Sequence, residues 1–96
     1  MRTYRLDSFP GPDWCPPAGE LAEGAMRVRF RDLLRDPERQ RAMVRAFVVE
    51  ENLTQDLWLE LTPEQGGWLL KPAGGCSHFP TRGLQMALER LRASLP

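Results

Sequence analysis

Between Met26 and Arg31 every second side chain is apolar and every intervening one is arginine, in the run Met26-Arg27-Val28-Arg29-Phe30-Arg31. A period of two marks a strand with one face in a core and the other in water. Residues 25–31 are therefore read as a strand whose Met26, Val28 and Phe30 enter a core, while Arg27, Arg29 and Arg31 form a stripe on the opposite side. One strand cannot bury a face alone, so the rest of the chain must supply a sheet and a covering layer. With 96 residues, that means one small domain spanning 1–96, hiding only about 60–65% of its unfolded surface. The length excludes a TIM barrel, a full dinucleotide-binding fold and a two-domain enzyme.

Turn residues divide the remainder. Residues 2–9 alternate as a first strand that ends at Phe9-Pro10. Residues 10–19 hold four prolines and two glycines, which forbids regular structure and marks a long loop, with Trp14 as the side chain to cap a core edge. Asp36-Pro37-Glu38 has the chemistry of a helix start: Asp caps free amides, Pro fits the first turn and Glu suits the positive dipole end. Met43, Ala46, Phe47, Val49 and Leu53 follow at helical spacing, so the reading is a helix over 37–51.

Residues 56–62 alternate again, with Leu57, Leu59 and Leu61 on one face and Trp58 and Glu60 on the other. Pro63-Glu64-Gln65-Gly66-Gly67 reads as a hairpin turn and Trp68-Leu69-Leu70-Lys71 as the returning strand. A last helix starts near Pro80-Thr81 and carries Leu84, Ala87, Leu88, Leu91 and Leu95 on one side. The expected fold is α+β: a two-layer sandwich with a four-stranded antiparallel sheet and two helices on one face, in the order β-β-α-β-β-α. Its uncovered face would carry Arg27, Arg29, Arg31 and Trp58, with Leu69 and Lys71 as further candidates.

Charge placement says more than charge total. Thirteen Lys and Arg balance thirteen Asp and Glu, so no bulk charge points to nucleic acid or membrane. Residues 27–45 hold seven arginines against Asp32, Asp36 and Glu38, whereas residues 50–64 hold Glu50, Glu51, Asp56, Glu60 and Glu64 with no base. Such a split either steers a partner or a second copy of the chain, or is a solvated surface of weak ion pairs. The arginine stripe also offers a route to nucleic acid, but Glu60 beside Trp58 counts against it.

No strong catalytic pattern is present. His78 is the only histidine, and Cys76 two residues away lacks a partner to orient the imidazole. Cys15 and Cys76 fit neither a zinc site nor a C-x-x-C motif, and residues 1–7 have no apolar core for a signal peptide. Two free thiols in the cytoplasm are expected, with no membrane span, no metal and no cofactor.

Several short stretches, in order, resemble the pterin-4a-carbinolamine dehydratase family. Arg27-Val28-Arg29-Phe30-Arg31-Asp32-Leu33 is similar to a strand of that family ending in phenylalanine, a basic residue, aspartate and an apolar residue. Leu57-Trp58-Leu59-Glu60-Leu61-Thr62 is similar to its later strand ending Glu-Leu-Thr, and Ser77-His78 with Gly83-Leu84 to its Thr-His, Gly-Leu and closing helix. The spacing from His78 to Gly83 is one residue longer. The family's enzymes use paired histidines before a proline just after the central helix, where this chain reads Glu50-Glu51-Asn52-Leu53-Thr54-Gln55. A dehydration that needs several imidazoles cannot run on His78 alone.

The resemblance thus implies a degenerate member without activity, similar in size and lost site to the Rubisco assembly factor of α-carboxysomes. It implies a homodimer or higher homo-oligomer and a protein partner, with Rubisco and a carboxysome setting as the specific case. The expected function is a non-catalytic protein-binding module using Arg27, Arg29, Arg31 and Trp58. The alternatives are an atypical dehydratase using His78, and nucleic-acid binding through the arginine stripe.

Overall fold

A computed structural model describes residues 3–74 and 81–96. Six strands form one sheet: β1 (Tyr4–Leu6), β2 (Glu20–Glu23), β3 (Met26–Asp36), β4 (Arg41–Glu50), β5 (Leu53–Glu64) and β6 (Gly67–Pro72). One helix follows among the described residues, α1 (Arg82–Ser94). The strand order is β1-β6-β5-β4-β3-β2 and every neighbouring pair is antiparallel. Hairpins join β2 through β6 in sequence, β1 returns to the edge beside β6, and the sheet curls into a half-barrel.

This architecture overturns the expected α+β sandwich of four strands and two helices. The helix read over 37–51 is instead a turn followed by β4. Ala42, Val44, Ala46 and Val48 are buried on one face, while Met43, Arg45, Phe47 and Val49 alternate on the other. Two periods fit this segment, and three valines that pack best on a pleated surface favour the strand. The Asp36-Pro37-Glu38 signal is local chemistry used differently. Asp36 Oδ1 accepts from Arg39 N at 3.3 Å, Gln40 N donates to Pro37 O at 3.2 Å, and Gln40 turns the chain at φ 51°. Asp and Pro open β-turns for the same reasons that they open helices.

Elsewhere the elements lie close to their expected places. β3 and β5 carry the two clean alternations, β6 is the returning strand, and α1 is the closing helix. The first strand is shorter than residues 2–9, and β2 lies just past the irregular loop of residues 10–19, where no element is expected. β3 also continues past Phe30 to Asp36 through a bulge between Phe30 and Leu33, which lets Phe30 and Leu33 both pack toward the core.

The core lies between one sheet face and α1. Leu84, Ala87, Leu88 and Leu91 of the helix are buried against Val28, Val44, Ala46, Val48, Leu59 and Leu70 of the sheet. The helix can settle close over the sheet because both surfaces carry small residues, Ala42 and Ala46 on β4 and Gly83 and Ala87 on α1. A Cβ on Gly83 would stand 2.5 Å from Val48 Cγ1. Thr81 caps the helix by accepting from Leu84 N at 3.1 Å, and Glu50 reaches from β4 to accept from Gly83 N at 3.1 Å. An acid at this end also suits the helix dipole.

The proline-rich loop shuts one end of the half-barrel. Pro10 is fully buried, Trp14 packs on the core as expected for a capping side chain, and Trp14 Nε1 donates to Ser94 O at 3.0 Å. Arg35 reaches across from β3 to donate to Pro10 O at 2.9 Å and Trp14 O at 3.4 Å, with its guanidinium 5.7 Å from the Phe9 ring centre. No helix among the described residues is long and apolar enough to cross a membrane.

Candidate protein-binding face

With α1 on one side only, the opposite sheet face has no layer over it among the described residues. Strand alternation and the register decide what stands there. On β3 the outward residues are Arg27, Arg29 and Arg31. Arg27 pairs with Val49 and Arg29 with Phe47 on β4. Phe47 pairs in turn with Asp56, Arg45 with Trp58, and Met43 with Glu60 on β5. Glu60 pairs with Lys71 on β6, and Thr62 with Leu69, which faces Arg5 on β1.

The expected residues Arg27, Arg29, Arg31 and Trp58 thus share one face, and Leu69 and Lys71 share it too. Met43, Arg45, Phe47 and Val49 at its centre escape the sequence reading, because it counts Met43, Phe47 and Val49 with Ala46 as the apolar side of a helix. The signal that could have found them is the strand preference of Val44, Phe47, Val48 and Val49.

On β4 the larger apolar side chains point away from the helix. Met43, Phe47 and Val49 are half-buried on the open face, while the two alanines face α1. Trp58 and Leu69 are half-buried beside them, and Leu34 is 56% exposed at the margin. A depression of about 410 Å³ is lined by Phe47 and Val49 with Glu20, Arg27, Arg29 and Arg31 around them. A second, of about 270 Å³, is lined by Leu34, Met43, Arg41, Glu60 and neighbouring residues.

Ion pairs cross this surface. Arg27 and Arg29 share Glu20 at 3.1 and 3.9 Å, and Lys71 lies 3.7 Å from Glu60. Arg45 sits between two carboxylates, bonding Asp56 through Nε at 2.8 Å and through Nη2, and Asp32 at 3.4 Å. The hydrogen bond from Arg45 holds the Asp56 carboxyl below the usual carboxylate range, with its charge and that of Arg31 adding to the effect against partial desolvation. The same contact raises Arg45 further above its already high value. These groups keep access to water at the surface, so each pair is weak and readily exchanged.

His78, the residue of the dehydratase alternative, and its neighbour Cys76 lie outside the described residues, and Cys15 is an exposed free thiol. Compared with family models, curated proteins and solved structures, the chain matches none.

Proposed function

We propose that this chain is a non-catalytic protein-binding module that offers the open face of its sheet to a partner. The observation that supports the reading most is the inverted sizing of β4, with Phe47 and Met43 on the uncovered face and Ala42 and Ala46 beneath the helix. A surface meant only for water has no use for Phe, Met, Val and Trp in adjoining positions; bordered by arginines, that set is the composition of a protein interface. Glu20, Asp56 and Glu60 within the arginine-bearing face weigh against nucleic acid, which favours a continuous basic track.

The dehydratase resemblance nominates Rubisco as partner. Its expected architecture is not the one this chain has, so Rubisco enters only as one bait to be tried. The test compares immobilised wild-type chain with Arg29→Glu/Arg31→Glu, which leaves the buried face untouched. Purified candidates, Rubisco among them, should bind the wild type, lose at least about tenfold in affinity for the variant, and slow amide exchange in β3–β5. Binding that ignores the double substitution would overturn the assignment of this face. Preferential binding of single-stranded nucleic acid, falling steeply with salt, would overturn the partner class.

A further inference from the structure

We infer that the occupant of this face is a second copy of the chain, packed sheet to sheet about a two-fold axis running along β4. The inference rests on the reading of the open face as a protein-binding surface and gives that surface its partner.

Charge placement selects both the partner and the axis. Outward from β4, the β3 side carries Arg27, Arg29 and Arg31 against Asp32 and Glu20 and keeps an excess of base, and the β5 side carries Asp56 and Glu60 against Lys71 and keeps an excess of acid. Facing sheets can be related by an in-plane axis along the strands or across them. An axis across the strands lays each strand over itself, stacking arginine on arginine and carboxylate on carboxylate. An axis along β4 exchanges the two sides while keeping each residue's height, so Arg29 of one copy lies over Asp56 of the other, while Arg45, on the axis, meets its own copy with its charge offset by Asp32 and Asp56.

The register makes the match specific. Arg29, Phe47 and Asp56 are consecutive cross-strand partners and therefore stand at one level. The axis along β4 brings Phe47 against Phe47 and Arg29 against Asp56 of the second copy, twice by symmetry. Self-complementarity of this kind is what a two-fold interface requires. The intrachain partners, Glu20 for Arg29 and Arg45 for Asp56, are exposed enough to be shared or exchanged at little cost.

Because the sheet curls, the contact falls on the central strands β3, β4 and β5, which at about 4.8 Å spacing present on the order of 500 Å² in projection, a small interface suited to a weak dimer. Two sheets stacked in this way would bury Met43, Phe47 and Val49 in a second core about 10 Å thick.

Sedimentation equilibrium of the full chain, from dilute to near-millimolar loading, tests the inference. The expected result is a monomer–dimer equilibrium that Phe47→Glu weakens at least about tenfold, since it sets two carboxylates together at the axis. Arg29→Glu alone and Asp56→Arg alone should each weaken self-association, and an equimolar mixture of the two should restore it as a heterodimer. Circular dichroism checks that each variant is folded. Should Asp56→Arg fail to fold beside Arg45, Phe47→Glu and Arg29→Glu decide the question without it.

A wild-type chain that stays monomeric at every loading overturns the second copy as occupant, and so does a dimer indifferent to Phe47→Glu. Either result leaves the binding-face reading to stand or fall on Arg29- and Arg31-dependent capture of another protein. Loss of both self-association and capture would remove that reading too.

Discussion

The two faces of the sheet are built from the same strands and solve opposite problems. Toward α1, β4 presents Ala42, Val44, Ala46 and Val48, all essentially out of water. Away from it, the same strand presents Met43, Arg45, Phe47 and Val49, all half-buried. The covered face gains stability by excluding water completely, and it accepts small side chains so that the helix backbone can come close. The open face keeps large apolar groups within a lattice of weak ion pairs. Stability is therefore concentrated on one side of a single sheet, and the other keeps the apolar groups on which the proposed binding rests.

The largest effect expected from that contrast is on the covered side. Leu59→Ala removes a side chain that is 1% exposed at the centre of the core and should cost about 3–4 kcal/mol, because the helix above cannot fall into the cavity. Leu69→Ala, one strand away on the half-buried open face, should cost no more than about 1 kcal/mol. Urea denaturation of the two variants measures the difference directly. Equal losses would mean that the open face is also a core in the monomer, and the division of labour would collapse.

Gly83→Ala comes next and probes how close the helix lies. The added methyl would sit 2.5 Å from Val48 Cγ1 and 3.3 Å from Glu50 Oε2, the atom that caps Gly83 N. Either the helix start lifts or Val48 moves, at an expected cost of about 2 kcal/mol, beyond anything the higher helix propensity of alanine returns. Thermal denaturation should show the loss, and Val48→Ala in the same chain should recover part of it by making room. Absence of recovery would place the strain elsewhere.

The open face is legible in the amino-acid sequence only in part, for a reason these residues make plain. On β3 and β5 polar and apolar residues alternate without ambiguity, so alternation alone assigns Arg27, Arg29, Arg31 and Trp58 to one face. On β4 both faces are largely apolar, and a period of two is hidden when Phe47, Val48 and Val49 stand in a row. Asp36-Pro37 then tips the reading toward a helix, since capping and turn chemistry share the same side chains. One strand misread as a helix is enough to import the wrong architecture, and the dehydratase resemblance reinforces that order. β2 escapes notice because Glu20-Leu21-Ala22-Glu23 has little strand propensity; its pairing with Met26–Arg29 across a two-residue turn holds it in the sheet.

The smallest effect belongs to the open face and is read through pH rather than total stability. Arg45 donates to Asp56 and holds its carboxyl below the unfolded value of about 3.9. A carboxyl with a depressed folded pKa contributes its stabilisation in full above the unfolded pKa and loses it as pH falls through the folded one. The stability of wild type over Asp56→Asn should therefore be constant from neutral pH down to about pH 5 and shrink through the acid limb below it. Because the pair is exposed, added salt should also reduce the difference at neutral pH, while the cost of Leu59→Ala should not respond to salt. Urea midpoints across pH and ionic strength distinguish the two behaviours. A difference for Asp56→Asn that grew on acidification would mean that the Arg45 contact is not what stabilises the carboxylate, and the ion-pair lattice across the open face would have to be redrawn.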